Sequence, residues 1–274
     1  MKRNLGHALA LGGFSAALGA LYVLSTSPSH KKRDMSHLKC DFAHRGMWSS
    51  DIPENSMTAF RRACEAGVGI ELDVRITKDG RAVVFHDRYL NRMCGVDAEI
   101  SSLTYAEISA LKLSNTGERI PLLSDVLDMI CGSVPLMIEL KGEDLNTGIC
   151  AETARLLDKY DGSFCIESFN PALTYWFRVN RPSFIRGQLL IPYKYAGESG
   201  HAFLNIFMSS LIVNSISKPD FISMDKRFKH NAGIFSSIVF WKTQHYVWTV
   251  TDTDELELMH KNGKSVIFEG IDNR

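Results

Sequence analysis

No two cysteines in the chain stand close enough to form a metal knuckle. Cys40, Cys64, Cys94, Cys131, Cys150 and Cys165 are scattered through 274 residues without a C-x-x-C pair. That spacing excludes a zinc site built from close thiolate pairs, and it lacks the disulfide framework of a short secreted domain. Buried free thiols are the expected state, and they suit a reducing compartment. Excess charge of either sign is also missing. The 31 Lys and Arg residues balance 31 Asp and Glu residues, for a formal net charge of +0, so nothing points to a nucleic-acid partner. Apolar and charged contents of 45% and 23% describe an ordinary globular chain with ample core-forming material. The length suits a single α/β barrel-sized domain.

One long apolar run interrupts this even composition. After Lys2 and Arg3, the stretch 5–24 is apolar apart from His7 and Ser15, and the basic His30-Lys31-Lys32-Arg33 follows it. A run of about 20 such residues is long enough to cross a bilayer. Pro28 directly after Ser25-Thr26-Ser27 makes a poor small-x-small cleavage site, so an uncleaved anchor is predicted rather than a signal peptide. Residues 1–36 are therefore expected to be a single-pass transmembrane helix and linker, and residues 37–274 the folded domain. The larger basic cluster lies C-terminal to the run, which favours a domain facing the cytoplasm.

From residue 37 onward, strand-like and helix-like segments alternate. Leu38–His44 reads as a first strand, and Asn55 or Ser56 can cap a helix over Met57–Ala66 that closes at Gly67. Ile70, Leu72, Val74 and Ile76 alternate with Glu71, Asp73 and Arg75, the pattern of a strand with one polar face. Lys78-Asp79-Gly80 predicts a hairpin turn into an accessory return strand, Ala82–Phe85. Further strands are expected at Pro135–Leu140, Phe164–Phe169, Ile185–Ile191, Phe221–Met224, Tyr246–Val250 and Val266–Phe268. Helices are expected at Tyr105–Leu111, Leu122–Ile130 (capped by Ser124 or Asp125), Ile149–Tyr160, Leu173–Val179 and Glu255–Lys261. Eight strands alternating with helices imply a parallel (β/α)₈ TIM barrel. The apolar segment His201–Lys218 reads as a helix near the barrel mouth, the membrane or the barrel wall.

In such a barrel, polar residues at the C-terminal ends of strands converge on one face. His44-Arg45 ends the first strand, Glu71 and Asp73 the second, and Glu139-Leu140-Lys141 the third. Three carboxylates pointing one way repel one another unless a cation lies between them, and all-oxygen ligation suits Mg²⁺ or Ca²⁺ better than zinc. Salt bridges to Arg45, Arg75 and Lys141 are the alternative to a metal. His44 and His86 suit a proton donor and acceptor near neutral pH, with Asp87 orienting His86. Arg45 and Lys141 supply positive charge for a phosphate.

The ordered set H-R-G, P-E-N-S-x-x-A-F, E-L-D-V, K-D-G, V-V-F-H-D, I-E-L-K and V-W-T-V, from about residue 43 to residue 270, resembles the glycerophosphodiester phosphodiesterase family. That resemblance implies a metal-dependent barrel enzyme that cleaves glycerophosphodiesters to glycerol 3-phosphate and an alcohol. By motif it implies His44 and His86 as the acid–base pair, Glu71, Asp73 and Glu139 as metal ligands, and Arg45 and Lys141 as phosphate contacts. It also implies Glu54 as a supporting residue, and Phe169 and Trp248 as walls of the glycerol or head-group pocket. Ser56 stands where the family usually has Thr. Two rivals remain: a lysophospholipase D-type enzyme acting on membrane lipids, and a non-catalytic phospholipid-binding barrel. The filled catalytic positions speak against the second.

Overall fold

Short apolar runs bounded by turns become strands here because each can bury both of its faces. In the computed structural model, which describes residues 15–29, 33–142, 146–192, 210–228 and 231–271, eight parallel strands close into a barrel. They are β1 (Phe42–Ala43), β2 (Gly69–Ile76), β4 (Leu136–Leu140), β5 (Phe164–Ser168), β6 (Arg186–Leu190), β7 (Phe221–Asp225), β8 (Gln244–Val250) and β9 (Ser265–Phe268). β3 (Ala82–Val84) is the accessory strand, antiparallel to β2. β1 pairs with β2 on one side and with β9 on the other, which closes the barrel.

Alternation along β2 divides its residues between two environments. Ile70, Leu72 and Val74 pack outward with Phe60, Leu127 and Leu140 in the layer between sheet and helices. Phe42, Met137, Cys165, Phe221, Tyr246 and Ile267 form a second buried cluster with Leu38. Tyr246 meets Phe221 and Phe42 edge-on, with ring centroids 5.2 and 5.7 Å apart. Gly187 leaves the space that Phe221 fills: a Cβ there would lie 2.2 Å from the ring.

Several boundaries differ from the sequence reading, each for a local reason. The first strand is only Phe42–Ala43, because Ser36–Leu38 folds as a 3₁₀ turn. That turn buries Leu38 against the aromatic cluster, where the Leu38 carbonyl accepts a hydrogen bond from the Tyr246 hydroxyl at 2.8 Å. Ser56, not Asn55, caps the helix Met57–Glu65 through Ala59 N. The helix Leu123–Ile130 has no side-chain cap, so neither Ser124 nor Asp125 serves. The helix Ala232–Val239, absent from the sequence reading, is capped by Asn231. All six cysteines are free thiols, but only Cys150 and Cys165 are buried and Cys131 is exposed.

The predicted anchor falls partly outside the described residues, which begin at 15. Residues 15–25 are helical and mostly exposed. Among the described residues no helix is long and apolar enough to cross a membrane. The stretch read as a linker is not a free tether, because Ser29 N donates to Pro219 O at 2.8 Å and Arg33 pairs with Asp220 at 3.1 Å. Of the segment His201–Lys218, only residues 210–218 are described, and Asn214–Ser217 forms a single helical turn.

Candidate active site

Parallel strands in register carry side chains to the same height on the same face. Asp73 on β2 pairs with Glu139 on β4, and Glu139 pairs with Glu167 on β5, so three carboxylates form one row. Glu71 lies one side-chain period before Asp73. All four are at most 7% exposed. Glu71, Asp73 and Glu139 each present an oxygen within 4.8 Å of the other two.

Fixed positive groups answer part of this charge. The Lys141 ammonium lies 2.6 Å from Glu139 Oε1 and 3.1 Å from Asp73 Oδ1. Arg45 approaches Asp73 Oδ2 at 3.4 Å, and its backbone N–H donates to Glu71 Oε2 at 2.9 Å. Asn55 donates from its amide to Asp73 Oδ2 at 2.8 Å. Burial would raise the Asp73 carboxyl, but Lys141 and Arg45 outweigh it and hold Asp73 well below its usual range. Burial and the neighbouring acids push Glu71 well above its ordinary value. Burial, partly opposed by Lys141, takes Glu139 up to about 7.

The ion pairs therefore leave Glu71 and Glu139 as buried, mutually repelling oxygens that favour protonation or a cation between them. A hard divalent ion fits this donor set. Glu71, Asp73 and Glu139 would hold it, and Lys141 and Arg45 would flank it.

Two histidines stand at the rim, each tied to its own carboxylate. His44 Nδ1 lies 2.6 Å from Glu269 Oε2, and His86 Nδ1 lies 2.6 Å from Asp87 Oδ1. In both, the pairing fixes the ring and leaves Nε2 to exchange a proton. Burial first, then Lys141 and Arg45, hold His86 down at about 4. Glu54, expected as a supporting residue, accepts from Arg45 Nη1 at 2.8 Å.

A cavity of about 570 Å³ opens beside His86, with Glu139, Lys141, Phe169 and Tyr89 among its walls. Phe169 meets Trp248 edge-on, with centroids 5.8 Å apart. The Trp248 indole N–H is buried and donates to no described group. The structure thus gathers the sequence-predicted residues around one barrel mouth.

Four residues at this site were missed: Asn55, Arg92, Glu167 and Glu269. Glu167 and Glu269 stand at or beside the ends of β5 and β9, so the strand-end rule could have found them. By sequence Asn55 is a candidate helix cap. Its left-handed backbone, at φ 55°, turns it from the helix end towards Asp73. Arg92 had no signal beyond its charge.

Comparison with known proteins agrees with this geometry. Residues 44–269 match the Glycerophosphoryl diester phosphodiesterase family. A glycerophosphodiester phosphodiesterase of Bacillus altitudinis is 41% identical over 107 residues, 36% of this chain and 43% of that protein. A lysophospholipase D of Rattus norvegicus is 32% identical over 165 residues, 55% of this chain and 50% of that protein. The chain thus spans about half the length of these curated relatives. An Oleispira antarctica phosphodiesterase solved with the product sn-glycerol-3-phosphate superposes with a TM-score of 0.69 at 23% identity, covering 84% of this chain and 92% of that one. At that identity the likeness is one of fold, and the family match spans the barrel from His44 to Glu269. The chain belongs to the Glycerophosphoryl diester phosphodiesterase family.

Proposed function

We propose that this chain hydrolyses glycerophosphodiesters to glycerol 3-phosphate and an alcohol, with one Mg²⁺ or Ca²⁺ held by Glu71, Asp73 and Glu139. One observation carries the reading: the buried carboxylates of Glu71, Asp73 and Glu139 converge within 4.8 Å of one another, in a site that also holds two histidines, each oriented by its own acid. Bound there, the cation supplies Lewis-acid charge against the developing phosphorane. Arg45 and Lys141 bind the phosphoryl oxygens. One histidine takes the proton of the neighbouring glycerol hydroxyl through Nε2 as that oxygen attacks phosphorus. The bond from phosphorus to the leaving oxygen breaks, and the other histidine protonates that alkoxide oxygen to give the alcohol. Water then opens the cyclic phosphate with the two roles exchanged. Phe169, with Trp248 edge-on behind it, walls the glycerol or head group.

A second reading, phosphodiester cleavage on lysophospholipids at a membrane, draws support from the surface. Leu18, Leu21 and Leu24 are 51–62% exposed on the helix 15–25. On the helix Ala232–Val239 and the residue after it, Phe235, Ile238, Val239 and Phe240 are 47–61% exposed. The two elements meet through Thr26 and Ser236, 2.9 Å apart, and through the Trp241 N–H on Val23 O at 3.2 Å. Such a patch suits lipid contact. Residues 1–36 would then be the anchor and residues 37–274 the domain at the membrane, and the basic His30-Lys31-Lys32-Arg33, rather than the patch, is what supports the cytoplasmic side. Hydrolysis of glycerophosphocholine in solution, compared with a lysophospholipid in vesicles, decides the substrate. Faster release of glycerol 3-phosphate from the soluble diester supports the first reading. Turnover confined to vesicles replaces it with the second.

A further inference from the structure

Arg92 lies on the single helical turn Asn91–Cys94, outside the barrel and beyond the accessory strand. Its side chain is 48% exposed, yet all three guanidinium nitrogens are engaged. Nη1 and Nη2 grip the two oxygens of Glu54 at 3.0 and 2.6 Å. Nε donates to Asp87 Oδ2 at 2.6 Å. Each carboxylate uses an oxygen on the site as well. Glu54 Oε1 also accepts from Arg45 Nη1 at 2.8 Å, and Asp87 Oδ1 meets His86 Nδ1 at 2.6 Å. A continuous chain of bonds thus runs Arg45–Glu54–Arg92–Asp87–His86.

The helical turn that carries Arg92 is itself held in place. Leu90 and Met93 are buried in a satellite cluster with Phe85, Ile100 and Ile108, and Gly95 ends the turn with φ +68°. The anchor at one end of the chain of bonds is therefore rigid. The guanidinium fork also fixes two carboxylates at set angles, which the single ammonium of lysine cannot do.

We propose that Arg92 is the positioning residue that sets the placement of Arg45 against His86, acting through Glu54 and Asp87. The proposal rests on the phosphodiesterase reading above, in which Arg45 holds the phosphate and His86 moves a proton. Arg92 touches neither in this arrangement; it fixes the distance and ring orientation across which they act. A surface ion pair that serves only the fold would contribute little at this exposure. A direct contact with the head group, since Arg92 borders the cavity, would act differently on different substrates.

The test uses the full chain as Arg92→Gln and Arg92→Lys, assayed on glycerophosphocholine and glycerophosphoethanolamine, with thermal unfolding measured alongside. Residues that orient metal ligands through one hydrogen bond typically matter by about 10- to 100-fold, and the same scale is expected for partners that orient Arg45 and His86. The expected result is a loss of kcat of about that size for Arg92→Gln, equal on both substrates, with KM and the unfolding midpoint nearly unchanged. Arg92→Lys should recover only a small part. Adding Glu54→Gln to Arg92→Gln should cost less than the two single losses combined. A second readout needs no turnover: in ¹⁵N-imidazole spectra, assigned through His86→Asn, the His86 resonances should move in Arg92→Gln. Unchanged kcat together with unmoved His86 resonances overturns the proposal and leaves the function reading intact. A loss that differs between the two head groups also overturns it, in favour of substrate contact. An inactive wild-type chain overturns the function reading, and the His86 resonances still decide the placement.

Discussion

At the residue scale, His44 and His86 use one device from distant places in the chain. Each ring gives its Nδ1 to a carboxylate, one from the next residue and one 225 residues away. The first partnership, His86-Asp87, is written in two adjacent letters. The second needs the barrel to close, because β9 must reach β1 before Glu269 can meet His44. His44→Ala and His86→Ala should each lower kcat by about 10²- to 10⁴-fold on a soluble glycerophosphodiester, the usual range for a lost acid or base. Either variant retaining near-full turnover would remove that histidine from the mechanism. Asn55 and Glu167 show why partners were harder to read than ligand types. A buried amide or acid looks the same in sequence whether it caps a helix, pairs with a lysine or faces a metal.

At the element scale, the turn after β1 and the β8 strand make separate predictions. Gly46 has φ +80°, and a Cβ there would lie 2.9 Å from Phe60 and 3.0 Å from Ala59 of the following helix. Gly46→Ala should therefore cost about 2 kcal/mol in urea unfolding, from left-handed strain and crowding together. Activity should fall further than stability alone explains, since Arg45 precedes this turn. On β8, His245 Nε2 lies 2.9 Å from Ser237 Oγ, and burial, helped by Lys264, holds its pKa at about 4 against an ordinary 6.5. Between those values the unfolded chain binds a proton that the folded chain does not. Stability must then rise with pH across that window and fall as pH drops from 6.5 to 4, by about 1.4 kcal/mol per unit. His86, held down in the same window, adds to the slope, so the comparison of interest is with His245→Gln. That variant should show a shallower loss on acidification. An unchanged slope would mean that His245 is protonated in the fold.

At the scale of the whole molecule, the eight-strand barrel was legible because most strands lie in short apolar runs that can bury two faces, while the alternating strand Gly69–Ile76 turns its acidic face into the site. The single-turn 3₁₀ segment at Ser36–Leu38 and the Ala232–Val239 helix were not legible. The first exists because Leu38 fills the space beneath Tyr246, and the second is apolar nearly all round and lacks a clear helical stripe. The predicted acidic ligands were legible because core packing alone has little use for three carboxylates at neighbouring strand ends. Arg92 was not, since its meaning depends on where Glu54 and Asp87 arrive after folding. The central claim is that this acidic row works as a cation site for phosphodiester hydrolysis. Its most direct test is the full chain, stripped with chelator and assayed on glycerophosphocholine with Mg²⁺ or Ca²⁺ added back. The account predicts no release of glycerol 3-phosphate after stripping and full recovery with one of the two ions, a recovery that Glu139→Gln should weaken. Undiminished turnover in the stripped protein would contradict it.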